Sequence, residues 1–364
     1  MKPLCASLYR NLVAAGVLSC LLAGCSSLGP SAVRSGRLAY NEAISETNSQ
    51  QMLLAVVKNR YDESANLLAV ASVTANVSIT TSSGIQLGFG DNDNYAGNLV
   101  PFSAGAIYEE NPTISYTPVA GAKYARQVFS PVPVAVLAQL TGSLADPTYV
   151  YIALVSSVNG ILNPDFQFYL TDSDARFSRF ATIMTTLTQA HRLHWIEDPG
   201  EYGRFLIVID RYAPAYTTEV SELLALLGLP AAKDNSARVV LPVLLALDGR
   251  DSGGVGLTTR SVGDLVEILS AAIEVPEEDQ RTRVAAAYPP PSLAGSELRV
   301  RHSKTKPARA AVAVEYRDGW FFIDETDQAT KRFFRLMESL WSVTIADSAP
   351  KGSAAPVLTV PVSR

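Results

Sequence analysis

The chain has 364 residues, a formal net charge of −5, 48% hydrophobic and 18% charged residues. The length allows one large domain or two of ordinary size, and the apolar content is sufficient for a real core. A mildly acidic body argues against nucleic acid as a partner and provides no basic patch for anionic lipid, and no solenoid repeat or coiled-coil heptad is present.

Lys2 and Arg10 precede an apolar stretch from Leu12 to Leu22, interrupted only by Ser19 and Cys20. The stretch is well short of the ~20 residues that span a bilayer, so it reads as a secretory signal and not a permanent transmembrane helix. It closes on Leu22-Ala23-Gly24-Cys25. This tetrapeptide resembles the lipobox of bacterial lipoproteins, with ordinary signal-peptidase cleavage nearby as the rival reading. The resemblance implies that Cys25 is acylated on sulfur, becomes the new N-terminus and ties the protein to a membrane through three acyl chains. Two or more chains give stable anchoring where one gives a marginal hold, at about 0.8 kcal/mol per buried methylene. Ser26, in place of an Asp that signals inner-membrane retention, implies sorting to the outer membrane, facing the periplasm. Cys5 and Cys20 lie in the segment that would be removed, so the mature chain keeps one blocked cysteine and forms no internal disulfide. Removing residues 1–24 takes away two basic and no acidic residues, which moves the formal charge of the remaining 340 residues from −5 to −7.

Residues 25–36 are small, polar and punctuated by Gly and Pro, and read as a flexible tether. Residues 37–61 read as helical, with Asn48 or Ser49 capping a second helix that carries Met52, Leu53, Val56 and Val57 on one stripe. Val73, Ala75, Val77 and Ile79 alternate with polar residues as one half-buried strand. Residues 82–105 are a long Gly/Asn/Asp-rich loop, and long loops of this kind are functional or disordered. Strand character resumes over 106–117 and breaks at Asn111-Pro112. Short helices are expected over 119–129 and 134–140. Tyr149 to Val158 reads as a β-rich run ending in an Asn159-Gly160 turn.

The clearest helix is 174–192, with Phe177, Phe180, Ile183, Met184 and Leu187 at helical spacing and Asp172 or Ser173 as cap. Phe205 to Ile209 is a continuous apolar strand. A helix from Thr217 or Thr218 ends at Gly228. Val239 to Leu247 is a further strand, demoted in part to an edge or bulge by Pro242. Ser261-Val262-Gly263-Asp264 resembles a capping box and opens a helix that stops before Pro276. Residues 282–297, with Pro289 to Pro291, read as a linker. Strands 310–316 and 320–324 flank the turn Arg317-Asp318-Gly319, and Asp327 caps a helix over 328–342. Residues 346–364 read as a flexible tail in which Val357 to Val362 form an edge strand.

The expected architecture is α+β, a mixed or antiparallel sheet packed with helices. The main region is 37–281, and the hairpin plus final helix, 298–345, packs on it. Candidate chemistry is thin. His191 and His194 have the spacing of two metal ligands, but lack a third His or a Cys, and read as polar residues at a helix end. Asp91 to Asn94 fails the calcium-loop template, because Ala96 and Phe102 stand where Gly and Glu are needed. Gly88-Phe89-Gly90 lacks the third glycine of a dinucleotide loop. Trp320 and Phe322 share one face of the late hairpin, opposite Phe321. No catalytic, cofactor or metal residue is nominated, and Cys25 is the sole site residue.

LLAVVKNRY, LTTRSVGDLVEILS and YRDGWFFIDETD together resemble a family of proteobacterial lipoproteins without an assigned activity, over most of the mature chain. Only the anchor carries over, onto Cys25. The expected function is a non-enzymatic outer-membrane lipoprotein that binds an envelope protein partner or supports an assembly, with the membrane itself engaged through Cys25. The alternatives are a lipid-anchored hydrolase of envelope polymers or lipids, and a periplasmic small-ligand binder with the 82–105 loop as lid.

Overall fold

The computed structural model describes residues 38–348 and 358–361, apart from 66, 75–76, 86–101, 111–112, 120–121, 144–145, 169–173, 233–237, 248, 251–252 and 290–291. Cys25, the tether, Asp91 to Asn94, most of the 82–105 loop and most of the tail therefore lie outside the described residues. The chain begins with helix α1 (38–60). Strands β1 (Leu67–Thr74), β2 (Val77–Ile85), β3 (Phe102–Glu110) and β4 (Thr113–Val119) follow, then helices α2 (Ala122–Phe129), α3 (Val134–Ser143) and α4 (Pro147–Leu154). Next come β5 (Val155–Val158), β6 (Ile161–Leu162), α5 (Ala175–Gln189), β7 (Leu193–Glu197), β8 (Phe205–Ile209), α6 (Thr217–Leu226), β9 (Val239–Leu245) and β10 (Val255–Thr259). The last elements are α7 (Val262–Ala271), α8 (Glu277–Thr282), a 3-10 helix (Leu293–Glu297), β11 (Arg301–Ser303), β12 (Val312–Tyr316), β13 (Gly319–Ile323), α9 (Gln328–Ser348) and β14 (Leu358–Pro361).

Contacts divide the chain into two units, one of residues 1–48, 68–118 and 351–364 and the other of residues 49–67 and 119–350. The first holds a sheet in the order β1-β4-β14 and the antiparallel pair β2-β3. The alternating run around Val73 to Ile79 is thus two strands, β1 and β2, and not one. At the other end of the chain, β14 forms the edge strand expected from Val357 to Val362, antiparallel to β4.

The second unit is α+β, built on a six-stranded sheet in the order β6-β5-β10-β9-β8-β7 and a three-stranded sheet in the order β11-β13-β12. The larger sheet is mixed. β9 and β10 are parallel, and its other pairs are antiparallel. Cross-strand register puts Ile207, Leu241, Val243, Val255 and Leu257 on one face, and all five are buried. Helix α4 packs on α3 and α5, α5 packs on α6, and α7 packs on α2 and α9.

Local signals explain most helix boundaries. Asp174 caps α5 by accepting the Arg176 N–H, one residue inside the expected start. Ser261 and Asp264 form the expected reciprocal capping box of α7, a motif that contributes about 1 kcal/mol. Gly228 ends the turn after α6 at φ +67°, a conformation that favours glycine. Asp327 accepts the Thr330 N–H at the start of α9, and Tyr316 pairs with Gly319 across the hairpin turn.

Other expectations are corrected. Tyr149 to Leu154 is helical, because Asp146 caps and Pro147 occupies the first turn, which outweighs the strand preference of Tyr and Val. The helix 38–60 runs without a break through Asn48 and Ser49. Strand β9 is internal to the sheet, with β8 on one side and β10 on the other. Its pairing with β10 starts at Val243, so Pro242 lies just outside that ladder, where a missing N–H is tolerated.

Candidate functional site

A polar cluster forms where α1 ends against α7 and the segment after α8. The Tyr288 hydroxyl donates to Glu267, and its ring lies 4.8 Å from the Arg60 guanidinium. Asn59 donates to the Ser270 hydroxyl at 3.2 Å and to the Tyr288 oxygen at 3.4 Å. The Tyr61 hydroxyl donates to Asp279 at 2.7 Å, and the Ala286 N–H donates to the Arg60 carbonyl at 2.7 Å. Burial pushes both tyrosines above the ordinary phenol range, and their carboxylate partners push in the same direction. The stretch read as a linker carries Tyr288 in this cluster, and Ser292 bonded to the backbone of Pro164.

A cavity of about 610 Å3 opens beside α7. Phe166, Phe168, Ile268 and Tyr288 form its apolar wall, and Ser156, Thr258, Arg260, Asp264 and Glu267 its polar wall. Asp264 and Glu267 are three residues apart on α7, which puts both carboxylates on one helical face. Asp264 accepts the Ser261 N–H and hydroxyl at 2.7 and 2.8 Å, and Glu267 accepts Tyr288.

Arg260 is 5% exposed and donates to the carbonyls of Ile152, Ala153 and Asp165 at 2.7, 2.9 and 2.7 Å. Its guanidinium also lies 5.6 Å from the Phe166 ring centre. Two of these carbonyls end α4, where the helix dipole favours a cation and the last carbonyls lack helical partners. Burial lowers the Arg260 pKa to about 10, against the pull of Asp264 and Asp165. The cavity's strongest cation and both its acids are therefore committed to holding the fold.

His191 and His194, which have the spacing of two metal ligands, are not brought together on a helix. Helix α5 stops at Gln189, His191 sits in the following turn at φ +55°, and His194 lies on β7 opposite Val208. Among the described residues no group of three or more His, Cys, Asp or Glu is placed to hold a metal ion, and no helix is long and apolar enough to cross a membrane. On the hairpin, Phe321 is 1% exposed and packs on Tyr61, Tyr316 and His302. Trp320 and Phe322 are half-buried on the other face, with the Lys306 ammonium 5.3 Å from the Trp320 ring.

The larger sheet also has a second face. Register aligns Ile196, Leu206 and Pro242 in one row across β7, β8 and β9, and sets Val240 beside the buried Val208 in the next row of that face. Ile196 and Val240 are 44% and 47% exposed, and Leu206, Pro242 and Leu244 are half-buried. This row structure, which joins residues far apart in sequence, had no local signal beyond the apolar strands themselves. Comparison with protein-family models, curated proteins and solved structures returned no match.

Proposed function

We propose that the chain is a lipid-anchored envelope lipoprotein, tethered through Cys25 to the outer membrane and facing the periplasm, with a non-enzymatic partner-binding or assembly-support role. The observation that supports partner binding is the apolar strip of Ile196, Leu206, Val240, Pro242 and Leu244 across three strands. Contiguous apolar surface of this kind marks interaction sites, whereas isolated exposed apolar residues do not. The anchor rests on Leu22-Ala23-Gly24-Cys25 and the apolar run before it. The cavity beside α7 favours the small-ligand reading as second choice, since its size lies in the ordinary range for ligand pockets. The hydrolase reading is weakened because the acid pair in that cavity is occupied with Ser261 and Tyr288.

Mass spectrometry of the mature N-terminal peptide, with membrane fractionation of wild type and Cys25→Ala, tests the anchor. A triacylated Cys25 and release of the variant are expected, and an unmodified N-terminus elsewhere overturns it. A photo-crosslinking residue at Val240 tests the strip, with one discrete adduct expected that Ile196→Lys removes. Adducts unaffected by Ile196→Lys count against partner binding there.

A further inference from the structure

Ala287 and Tyr288 also line a second cavity, of about 820 Å3, with Arg60, Glu274, Gln280 and Arg283 in its wall. Arg60 is the unusual group. Its Nε is buried without a hydrogen-bond partner, its terminal nitrogen reaches the Ser270 carbonyl only at 3.4 Å, and no carboxylate among the described residues lies within ion-pair distance. Its two aromatic neighbours do not supply a counter-charge, because Tyr288 and Tyr61 are neutral phenols whose protons go to Glu267 and Asp279. Half-buried charge without a partner is costly, and proteins ordinarily pair it. Burial accordingly lowers the Arg60 pKa.

Three further features converge on the same space. Arg283 ends α8 at φ +57°, is exposed, and its side chain has no partner among the described residues. The backbone N–H groups of Ala285 and Ala287, in the same wall, have no acceptor there. Ile273 and Val275 give the cavity an apolar side. Glu274 is the opposing charge. Its carboxylate accepts the His302 N–H at 3.3 Å, and it disfavours a ligand with many negative charges.

We infer that this cavity binds a ligand with one oxyanion group, carboxylate or phosphate, on Arg60 and Arg283, with an apolar body against Ile273 and Val275. Guanidinium groups suit this role because their planar donors match two oxygens at once. The volume lies within the ordinary range for ligand pockets and far exceeds that of a bare ion. A free small acid and the terminal carboxylate of a bound peptide share this chemistry. The inference does not depend on Cys25 or on the apolar strip.

The test is titration of the mature full-length protein with butyrate, inorganic phosphate, trialanine and trialanine amide, followed by calorimetry and thermal melting at ionic strength fixed with chloride. Saturable binding of at least one oxyanion probe is expected. Arg283→Gln should weaken it about tenfold, the loss of one charge-assisted contact, without changing the melting temperature in chloride, since that side chain has no partner to lose. Arg60→Lys should retain weakened binding and Arg60→Gln should abolish it. Binding of butyrate or phosphate without preference for trialanine over its amide assigns a free acid, and tighter binding of trialanine than of its amide assigns a peptide terminus. Absence of saturable binding by every probe, or unchanged affinity in both Arg283→Gln and Arg60→Lys, overturns the inference.

Discussion

The side-chain oxygen of Asn159 accepts the Gly256 N–H at 2.6 Å and the Gly249 N–H at 3.1 Å, and its amide donates to the carbonyls of Leu227 at 2.9 Å and Gly254 at 3.2 Å. The residue is 3% exposed. It therefore ties Gly249 and Gly254, in the connection between the parallel strands β9 and β10, to Gly256 of β10. Parallel neighbours normally need a crossover of about a dozen residues or more, and this shorter one is held by the Asn159 amide together with backbone bonds such as Ala246 N–H to Leu257 and Gly254 N–H to Gly249. Asn159→Ala is expected to lower stability by about 3 kcal/mol, because it leaves several buried backbone groups unpaired. Asn159→Asp keeps the acceptor but sets a carboxylate against two carbonyl oxygens, and should be at least as damaging. Urea unfolding midpoints decide, and two variants within about 0.5 kcal/mol of wild type would remove Asn159 from this role.

Gly254 in the same segment is required by space and not by its dihedral angles. A Cβ there would collide with the carbonyl oxygen and ring of Pro242, both part of β9. Gly254→Ala should destabilise by about 1–3 kcal/mol, the usual penalty of overpacking. Gly253→Ala makes a useful contrast, because a Cβ at Gly253 meets nothing within 4 Å but φ is +64°. It should lose only the smaller left-handed penalty of about 1 kcal/mol. Equal thermal melting of the two variants would show that the Pro242 contact yields.

These two residues mark where sequence reading stops. The α7 capping box, the Gly228 stop, the Asp327 cap and the hairpin around Arg317-Asp318 were legible because each lies within a few residues of its partner. Asn159 was legible only as a turn former, which its φ of +43° also makes it. Its four hydrogen bonds reach residues 68 to 97 positions away. In the same way Arg260 stands one residue before a helix cap, yet its burial depends on the end of α4, more than 100 residues earlier. Strand propensity misplaced α4 because Tyr149, Val150, Tyr151 and Ile152 favour strands, while Asp146 and Pro147 carried the opposing signal. The polar cluster around Tyr288 joins α1, α7 and a proline-rich stretch, and composition alone gave that stretch only the appearance of a linker.

Arg260 should be among the most sensitive side chains in the larger unit. Arg260→Met removes three short bonds to backbone carbonyls and the contact with Phe166, although Asn163 still donates to Ile152 at 2.8 Å. A loss of about 3 kcal/mol is expected, the scale of bonds made by a charged donor. Arg260→Lys keeps the charge but not the planar fork, and should lose about 2 kcal/mol. Denaturant unfolding of both variants measures this. Full stability in Arg260→Met would mean that the α4 carbonyls find other donors.

Alkaline pH should expose the buried tyrosines. Burial holds the Tyr151 phenol up at about 12 against an ordinary value of 10.0, and Tyr61, Tyr149 and Tyr288 are shifted in the same direction. Above the ordinary value the unfolded chain loses phenolic protons that the folded chain keeps. The folded state then binds more protons, so stability falls as pH rises, by about 1.4 kcal/mol for each unit by which a group is shifted. The contribution is fully present below pH 10.0 and is lost as pH rises to about 12 for Tyr151. Arg260 acts in the opposite sense, because its folded pKa is lowered to about 10 from 12.5 and the unfolded chain binds the extra proton. Arg60 is lowered too and Tyr316 is raised, and five raised tyrosines outweigh two lowered arginines, so the net slope above pH 10 is negative. Melting temperature against pH, with tyrosinate absorbance followed in parallel, should show part of the tyrosine signal appearing only on unfolding. Tyr151→Phe should reduce the slope, and an unchanged slope would mean that Tyr151 ionises in the folded protein like an exposed phenol.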